Sequence, residues 1–424
     1  MGLLLLISFL VFTVLGIPIV FSMALSALLV LIIEGIPLLI IIQRLFNGTN
    51  NFIFTAIPFF VLAGDLMSYG GITLRLIQFA QSLVGHLRGG LGFVTIVASM
   101  IFGGVSGSAT ADTAAIGSIV IPAMKDEGYD RDFSAAVVAA AGTLGIIIPP
   151  SIPMIIYGVV ANESIGRLFL GGFIPGVMVG LGMMVPTYFI AKRKGYPKKQ
   201  RASLREIIGT FKRSFFALVM PVIIIGSIIK GVVTPTEAGV LACLYALMVG
   251  VFIYRELRIR DLPKIFAHTV VVSASIMIIM SVADIFGWLI ANLEVAQAVI
   301  SSFMTISQNK YIILLLVNIF LLITGCLVDL GPALIILTPI LLPLVRSVGV
   351  DPIHFGLIMT INLGIGLFTP PVGTNLYVAC GIARIGLTEI SIAIWPYVVW
   401  ASLVLIFVTY IPQSVLFIPN LFMK

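Results

Sequence analysis

The chain interrupts its own helices twice, in corresponding places. GGVSGSATAD runs from Gly103 to Asp112 and is followed by GIIIPPS, Gly145 to Ser151. GCLVDLGP runs from Gly325 to Pro332 and is followed by GLFTPPVGTN, Gly366 to Asn375. An offset of about 221 residues places Gly104 on Gly325, Pro122 on Pro343, Gly128 on Gly349 and Asp130 on Asp351. The same offset places Gly145 on Gly366 and Pro149-Pro150 on Pro370-Pro371. Both copies set glycines, hydroxyls and proline pairs where a membrane helix prefers unbroken apolar residues. Irregular backbone repeated at one spacing predicts a site built between two structural repeats.

The membrane setting follows from composition. Of 424 residues 60% are hydrophobic and 10% charged, with a mean hydropathy of +1.20. Soluble domains carry about 25% charged residues. The apolar runs are long and continuous, so the spans are helices rather than the ten-residue alternating strands of a membrane barrel. Cys243, Cys326 and Cys380 are scattered and propose neither a disulfide framework nor a metal site. The opening GLLLLISFLVFTVLG lacks a basic leader and a small-residue cleavage site, and reads as a span. The net charge of +7 does not point to nucleic acid, because nine of the 24 Lys and Arg sit between Lys192 and Arg213, in a loop of the kind that stays cytoplasmic.

Hydropathy predicts spans near 2–18, 19–35, 52–70, 131–161, 173–191, 214–230, 236–254, 268–291, 352–382 and 394–412. Two amphipathic stretches, 73–88 and 291–307, are expected to lie along the bilayer as bracing arms. The segments 90–126 and 310–347 remain. As one helix of 37 residues, the first would reach about 55 Å, against a hydrocarbon core of about 30 Å. Each is therefore expected to be a re-entrant hairpin, whose irregular tip survives only where protein or a cavity surrounds it. Pro149-Pro150 and Pro370-Pro371 are expected to split the spans 131–161 and 352–382 into half-helices.

Five crossings and one hairpin per half make the second half inverted relative to the first. With the 192–213 loop inside, 18 Lys and Arg fall in cytoplasmic segments and 6 outside, as the positive-inside bias requires. Both termini then lie outside. The predicted organisation is a first repeat over 1–192, a basic cytoplasmic linker over 193–213, a second repeat over 214–412 and a tail over 413–424.

Helix breaks free carbonyl oxygens, which suit a hard cation such as Na⁺, while the N-termini of half-helices suit an anion. Ser106 with the backbone of Gly103, Gly145, Ile148 and Pro150 is a candidate first cation site. Gly325, Gly366, Thr369 and Val372 are candidates for a second. Ser106, Ser108, Thr110, Asp112, Ser151, Thr374 and Asn375 are the candidate contacts to a polar organic anion. Among intramembrane carboxylates, Asp112 and Asp329 flank the tips and read either as helix caps or as ion or proton handlers. Asp65 and Asp284 read as bonding neighbouring backbone, and Glu237, after TPT, as the first turn of a helix. His86, His268 and His354 stand alone near span ends and read as packing residues. No nucleophile and base stand at a catalytic spacing, and no HExxH occurs, so an enzyme is not expected.

Four strings in order, GGVSGSATADTAAIGSIVIPAM (103–124), GTLGIIIPPSIPMIIYG (142–158), TPTEAG (234–239) and TPPVGTNLYV (369–378), resemble the large membrane subunit of a TRAP (tripartite ATP-independent periplasmic) transporter. The resemblance covers nearly the whole chain. It implies an all-α integral membrane protein of the ion transporter superfamily, in the bacterial inner membrane, with elevator motion of the hairpins past a scaffold. It implies a Na⁺-driven importer working with a small four-helix membrane subunit and a periplasmic substrate-binding protein. Its Na⁺ sites fall at the tips and split helices. The second tip departs from the first, offering Cys326 and Asp329 in place of serines, so the two sites are expected to differ. The family carries organic acids such as C4-dicarboxylates and sialic acids. The lack of an arginine near the tips favours a hydroxylated monocarboxylate, with sialic acid as the expectation. A stand-alone Na⁺/dicarboxylate symporter and an ion channel are the competing readings; a channel filter is usually assembled from symmetric subunits around an open path.

Overall fold

The computed structural model describes residues 1–423 and holds helices and turns with no strand among them. The first half begins with α1 (Gly2–Val14) and α2 (Ile19–Ile33), packed together and separated by a turn at Gly16. Next come α3 (Leu39–Thr49), α4 (Ala56–Tyr69) and α5 (Ile72–Val84). Two arms follow, α6 (Gly90–Ser106) and α7 (Ala109–Asp126), then α8 (Arg131–Gly142), α9 (Leu144–Ile147), α10 (Ile152–Ala161) and the 30-residue α11 (Ile165–Lys194).

The second half contains α12 (Leu204–Ile229), α13 (Pro235–Met248), α14 (Leu262–Asn292) and α15 (Val295–Ile306). Its hairpin arms are α16 (Lys310–Leu327) and α17 (Leu330–Ser347), followed by α18 (Pro352–Gly366), α19 (Thr374–Ala383), α20 (Leu387–Ala393), α21 (Trp395–Tyr410) and α22 (Gln413–Phe422). Among the described residues, seven helices are long and apolar enough to cross a membrane, or up to ten when each bent pair is taken as one span. Leu3, Val222 and Ile392 are each at least 70% exposed, which fits an outer surface solvated by lipid.

The helix starts recur at the sequence offset. The second arm runs 109–126 in one half and 330–347 in the other, and the helix after it starts at 131 and at 352. Both proline pairs interrupt their helices as expected. Residues 148–151 separate α9 from α10 with a bend of 43°, and residues 367–373 separate α18 from α19. Each pair is joined by a cis peptide bond.

Several boundaries differ from the hydropathy reading. Residues 39–49 form α3, which packs on α14. Its apolar run is too short and too amphipathic to register as a span. The linker is helical from Leu204 onward, because Ser203 caps α12 through its hydroxyl to the Glu206 N–H (3.2 Å). The last residues form α22 and pack against α11, with Val415 fully buried beside Gly171. Hydropathy saw a tail there because ten residues are half a span.

The two halves interlock around a buried centre. α10 packs along α17, and α19 packs against α7 and α8, so each split helix lies on the other half's hairpin or split helix. Tyr157 on α10, fully buried, donates its hydroxyl to the Pro352 carbonyl at the start of α18 (2.7 Å). Ala135, Ala136, Ala139, Ala140 and Ala141 on α8 are fully buried. Small residues let membrane helices approach closely where lipid offers no hydrophobic drive to associate.

Candidate functional site

The first hairpin turns at Gly107, whose φ of +64° is left-handed and open mainly to glycine. Ser108 then starts α7, its hydroxyl accepting the Ala111 N–H at 3.4 Å. The tip is bonded to the helix break. The Ile152 N–H, left without a helical partner by the proline pair, donates to the Gly107 carbonyl at 3.2 Å. Ser151 takes the N-cap of α10, donating to the Ile146 carbonyl (2.6 Å) and accepting from the Met154 N–H (3.4 Å).

Each half brings a hairpin glycine onto a split-helix glycine. A Cβ on Gly103 would lie 2.8 Å from the Gly145 Cα, and a Cβ on Gly366 would collide with the Gly325 backbone. In both halves, then, a hairpin glycine and a split-helix glycine lie backbone against backbone. Beside the first pair lies Asp112. Its Oδ1 accepts from Ser106 Oγ, and its Oδ2, fully buried, has no partner among the described residues. A Cβ on Gly145 would strike that oxygen. Asp112 is therefore not the cap of α7, a role that Ser108 fills, and it sits with Ser106, Gly103 and Gly145 rather than among the residues facing the central cavity. Charge at depth is expensive unless it is paired. This oxygen, with the hydroxyl of Ser106 and the carbonyls of the break, makes a set of hard oxygen donors.

The second pair has no such carboxylate. Thr369 donates to the Ile365 carbonyl (2.6 Å) and is buried, whereas Val372 is 43% exposed at the edge of the break. Asp329 occupies the N-cap position of α17 and faces a cavity instead.

That cavity, about 760 Å³, is lined by both tips although they lie some 220 residues apart in sequence. The first tip contributes Ser106, Ser108 and Thr110, and the second contributes Asp329, Leu330 and Gly331; Thr374 at the start of α19 joins them. The Ser108 and Thr110 hydroxyls are 3.3 Å apart. The opposite wall is made by α4 and α14, including Asp65, His268 and Ser275. Of the proposed anion contacts, Ser106, Ser108, Thr110 and Thr374 face this cavity. Ser151 and Asn375 are buried behind it: Asn375 Nδ2 donates to the Ala139 carbonyl at 3.1 Å and ties α19 to α8.

The remaining carboxylates divide. Glu237 closes a capping box with Thr234, accepting the Thr234 N–H at 2.7 Å while Thr234 Oγ1 accepts the Glu237 N–H at 3.3 Å. Asp284 stands 3.7 Å from Arg44, which also covers the Trp288 ring. His354 accepts its structural place, fully buried with Nε2 2.8 Å from the Val408 carbonyl. Asp65, expected to bond neighbouring backbone, and His268, expected to stand alone, form a pair instead, Asp65 Oδ2 lying 2.8 Å from His268 Nδ1. A separation of 203 residues hides it from any reading of local spacing. The usable signal was a carboxylate inside the apolar run 56–69.

A helical membrane body with two broken-helix hairpins meeting at one internal cavity defines a transporter-type architecture. The same fold occurs in the solved YdaH transporter of Alcanivorax borkumensis (TM-score 0.62, 13% identity, 89% of this chain and 87% of that one). It occurs as well in MtrF of Neisseria gonorrhoeae (TM-score 0.58, 11% identity, 90% and 83%). The family itself is set by sequence: residues 6–414 match the model of the tripartite ATP-independent periplasmic transporter, DctM component, and the chain belongs to that family.

The sialic acid TRAP transporter large permease protein SiaM of Vibrio cholerae is 41% identical over 409 residues, covering 96% of each chain. The C4-dicarboxylate large permease protein DctM of Rhodobacter capsulatus is 37% identical over 421 residues, again covering 96% of each. The isethionate permease protein DctMQ of Oleidesulfovibrio alaskensis is 41% identical over 411 residues; this chain spans 65% of its length. The protein is a TRAP large permease, a transporter rather than an enzyme, and a multi-pass inner-membrane protein.

Proposed function

We propose that this chain carries Na⁺-coupled import of an organic acid anion, received from a periplasmic substrate-binding protein and moved with the help of a small four-helix membrane subunit. The observation that carries the reading is the buried Asp112 Oδ2, which lacks a partner beside the Gly103–Gly145 contact and the Ser106 hydroxyl. An unpaired carboxylate oxygen at that depth calls for a cation. The Gly325–Gly366 contact supplies a second, carboxylate-free cage with Thr369 at its edge. Two Na⁺ ions per cycle, one in each half, fit this arrangement, with the anion held between the tips by Ser106, Ser108, Thr110 and Thr374.

The recurrence of helix starts at the sequence offset supports two structural repeats; we infer that they are oppositely oriented, with both termini periplasmic and the tips moving as one elevator body past a scaffold. Lys and Arg are absent from the cavity wall among the described residues. That supports a hydroxylated monocarboxylate of the sialic acid type over a C4-dicarboxylate, which asks for a second cationic clamp.

Uptake into proteoliposomes holding both membrane subunits, supplied with the loaded binding protein, tests this. Replacing external Na⁺ with K⁺ is expected to abolish uptake, and Asp112→Asn to raise the Na⁺ concentration needed for half-maximal rate. Uptake that survives both changes would overturn the coupling. Uptake without the binding protein and small subunit would identify a stand-alone symporter instead.

A further inference from the structure

We propose that His268, braced by Asp65, is the cationic contact for the carboxylate of the transported anion, placed on the wall that faces the hairpin tips. The inference rests on the anion-transport reading above and deepens it. Three observations carry it. First, His268 is the only side chain lining the cavity, among the described residues, that is able to bear positive charge near neutral pH. Second, its ring is held by one edge: Nδ1 lies 2.8 Å from Asp65 Oδ2, and the same oxygen accepts from Thr269 Oγ1 at 3.2 Å. A ring anchored through Nδ1 turns its other nitrogen, Nε2, away from Asp65. Third, exposure is divided as that geometry requires. The His268 side chain is 59% exposed and the Asp65 side chain 17%, so the carboxylate stands behind and the imidazole in front. Ser275, two turns further along α14, lines the same wall, its hydroxyl donating to the Val271 carbonyl at 2.8 Å.

Charge makes the contact necessary. An anion entering this cavity meets the carboxylates of Asp65 on α4 and Asp329 at the second tip. The other elements around it, α7, α10 and α19, present hydroxyls and apolar groups but no ionised side chain. Asp65 on Nδ1 leaves Nε2 as the nitrogen free to meet an arriving carboxylate. As the cationic contact, His268 donates Nε2–H to the substrate carboxylate in a charge-assisted hydrogen bond. The hydroxyls of Ser108 and Thr110 hold the other end. Specificity for acids over neutral polyols of the same size arises on this wall.

The test is the pH dependence of uptake kinetics in proteoliposomes with both membrane subunits and binding protein loaded with radiolabelled N-acetylneuraminate or, in a parallel series, succinate. For whichever acid is carried, the wild-type KM is expected to rise about tenfold from pH 6 to pH 8.5, where a histidine loses its charge, with kcat changed less than about twofold. His268→Gln is expected to raise KM about tenfold at pH 6 and to remove the pH dependence. His268→Lys, which keeps a charge, is expected to retain a low KM across the range. Size-exclusion profiles and thermal unfolding of the purified variants separate a folding defect from lost recognition. A His268→Gln protein that folds and keeps both the wild-type KM and its pH profile overturns the inference. A His268→Lys protein that behaves like His268→Gln also overturns it, because charge would then not be the operative property. A wild type that carries neither acid overturns the sialic acid or C4-dicarboxylate reading beneath it, and this inference with it.

Discussion

At the scale of single residues, the chemistry is concentrated in positions that carry almost no side chain. Gly103, Gly145, Gly325 and Gly366 let two backbones touch, and the oxygens around them are main-chain carbonyls, the hydroxyls of Ser106 and Thr369, and the carboxylate of Asp112. A methyl group at position 145 would press on Asp112 Oδ2. Losing a charge-assisted contact of roughly 1.5–3 kcal/mol weakens apparent Na⁺ affinity by about 10- to 150-fold, which is the effect expected of Gly145→Ala in Na⁺ titrations of uptake. Thr234→Ala makes the contrast. It removes the hydroxyl that caps α13, at a cost of about 1 kcal/mol in helix stability. Thermal unfolding in detergent should register that loss while uptake per folded molecule stays near wild type.

At the scale of elements, the break points were legible because proline and glycine act locally. The pairs at 149–150 and 370–371 split their helices where the dihedral and donor restrictions of proline require. TPTEAG was legible for the same reason, its capping box lying within four residues. What the sequence did not disclose are contacts formed across the fold. The Asp65–His268 pair, the orphaned side of Asp112 and the packing of α22 on α11 each join segments whose separation is set by topology, not by helical period. Ser151 and Asn375 illustrate the converse: polar residues at a helix break were expected to face substrate, yet their hydrogen bonds go to backbone behind the cavity. The loop between α7 and α8 adds a titratable joint. Asp130 pairs with Lys194 at the end of α11 and also accepts from the Tyr196 hydroxyl (3.0 Å). Lys194 holds the Asp130 carboxyl below its usual range, and Asp130 in turn raises the Lys194 ammonium. The carboxylate's contribution is therefore present above the ordinary carboxylate range and fades as pH falls through the lowered value; the ammonium's fades at alkaline pH. Both side chains are more than 40% exposed, so the pair contributes less than about 1 kcal/mol. Asp130→Asn is expected to lower the unfolding temperature at pH 7 by about 1–2 °C, and the difference from wild type should close as the buffer is taken toward pH 3.

At the scale of the whole molecule, the cavity is bounded by two different kinds of wall. The tips belong to hairpins bonded to their split helices, through the Ile152–Gly107 hydrogen bond in the first half and the glycine contact in the second. The facing wall is a stripe of α14 together with α4. Elevator motion requires these walls to slide past each other. A protein lacking Cys243, Cys326 and Cys380, and carrying Val271→Cys and Gly331→Cys on opposite sides of the cavity, offers a direct check. A flexible bis-maleimide joining the two is expected to stop uptake, whereas each single cysteine treated with the same reagent keeps transporting. Continued uptake by the joined protein would rule out relative movement of these walls.

The glycine contacts also bear on how such a carrier diversifies. At those four positions there is little for substitution to adjust, because most replacements add bulk to a place already filled. The α14 wall is the opposite case, since Val271, Val272, Ser275 and Ile276 present side chains to open space. On the proposed reading, new cargo is reachable by small sequence steps along one helix, while the site of the driving ion is tied to the course of the backbone and inherited with it.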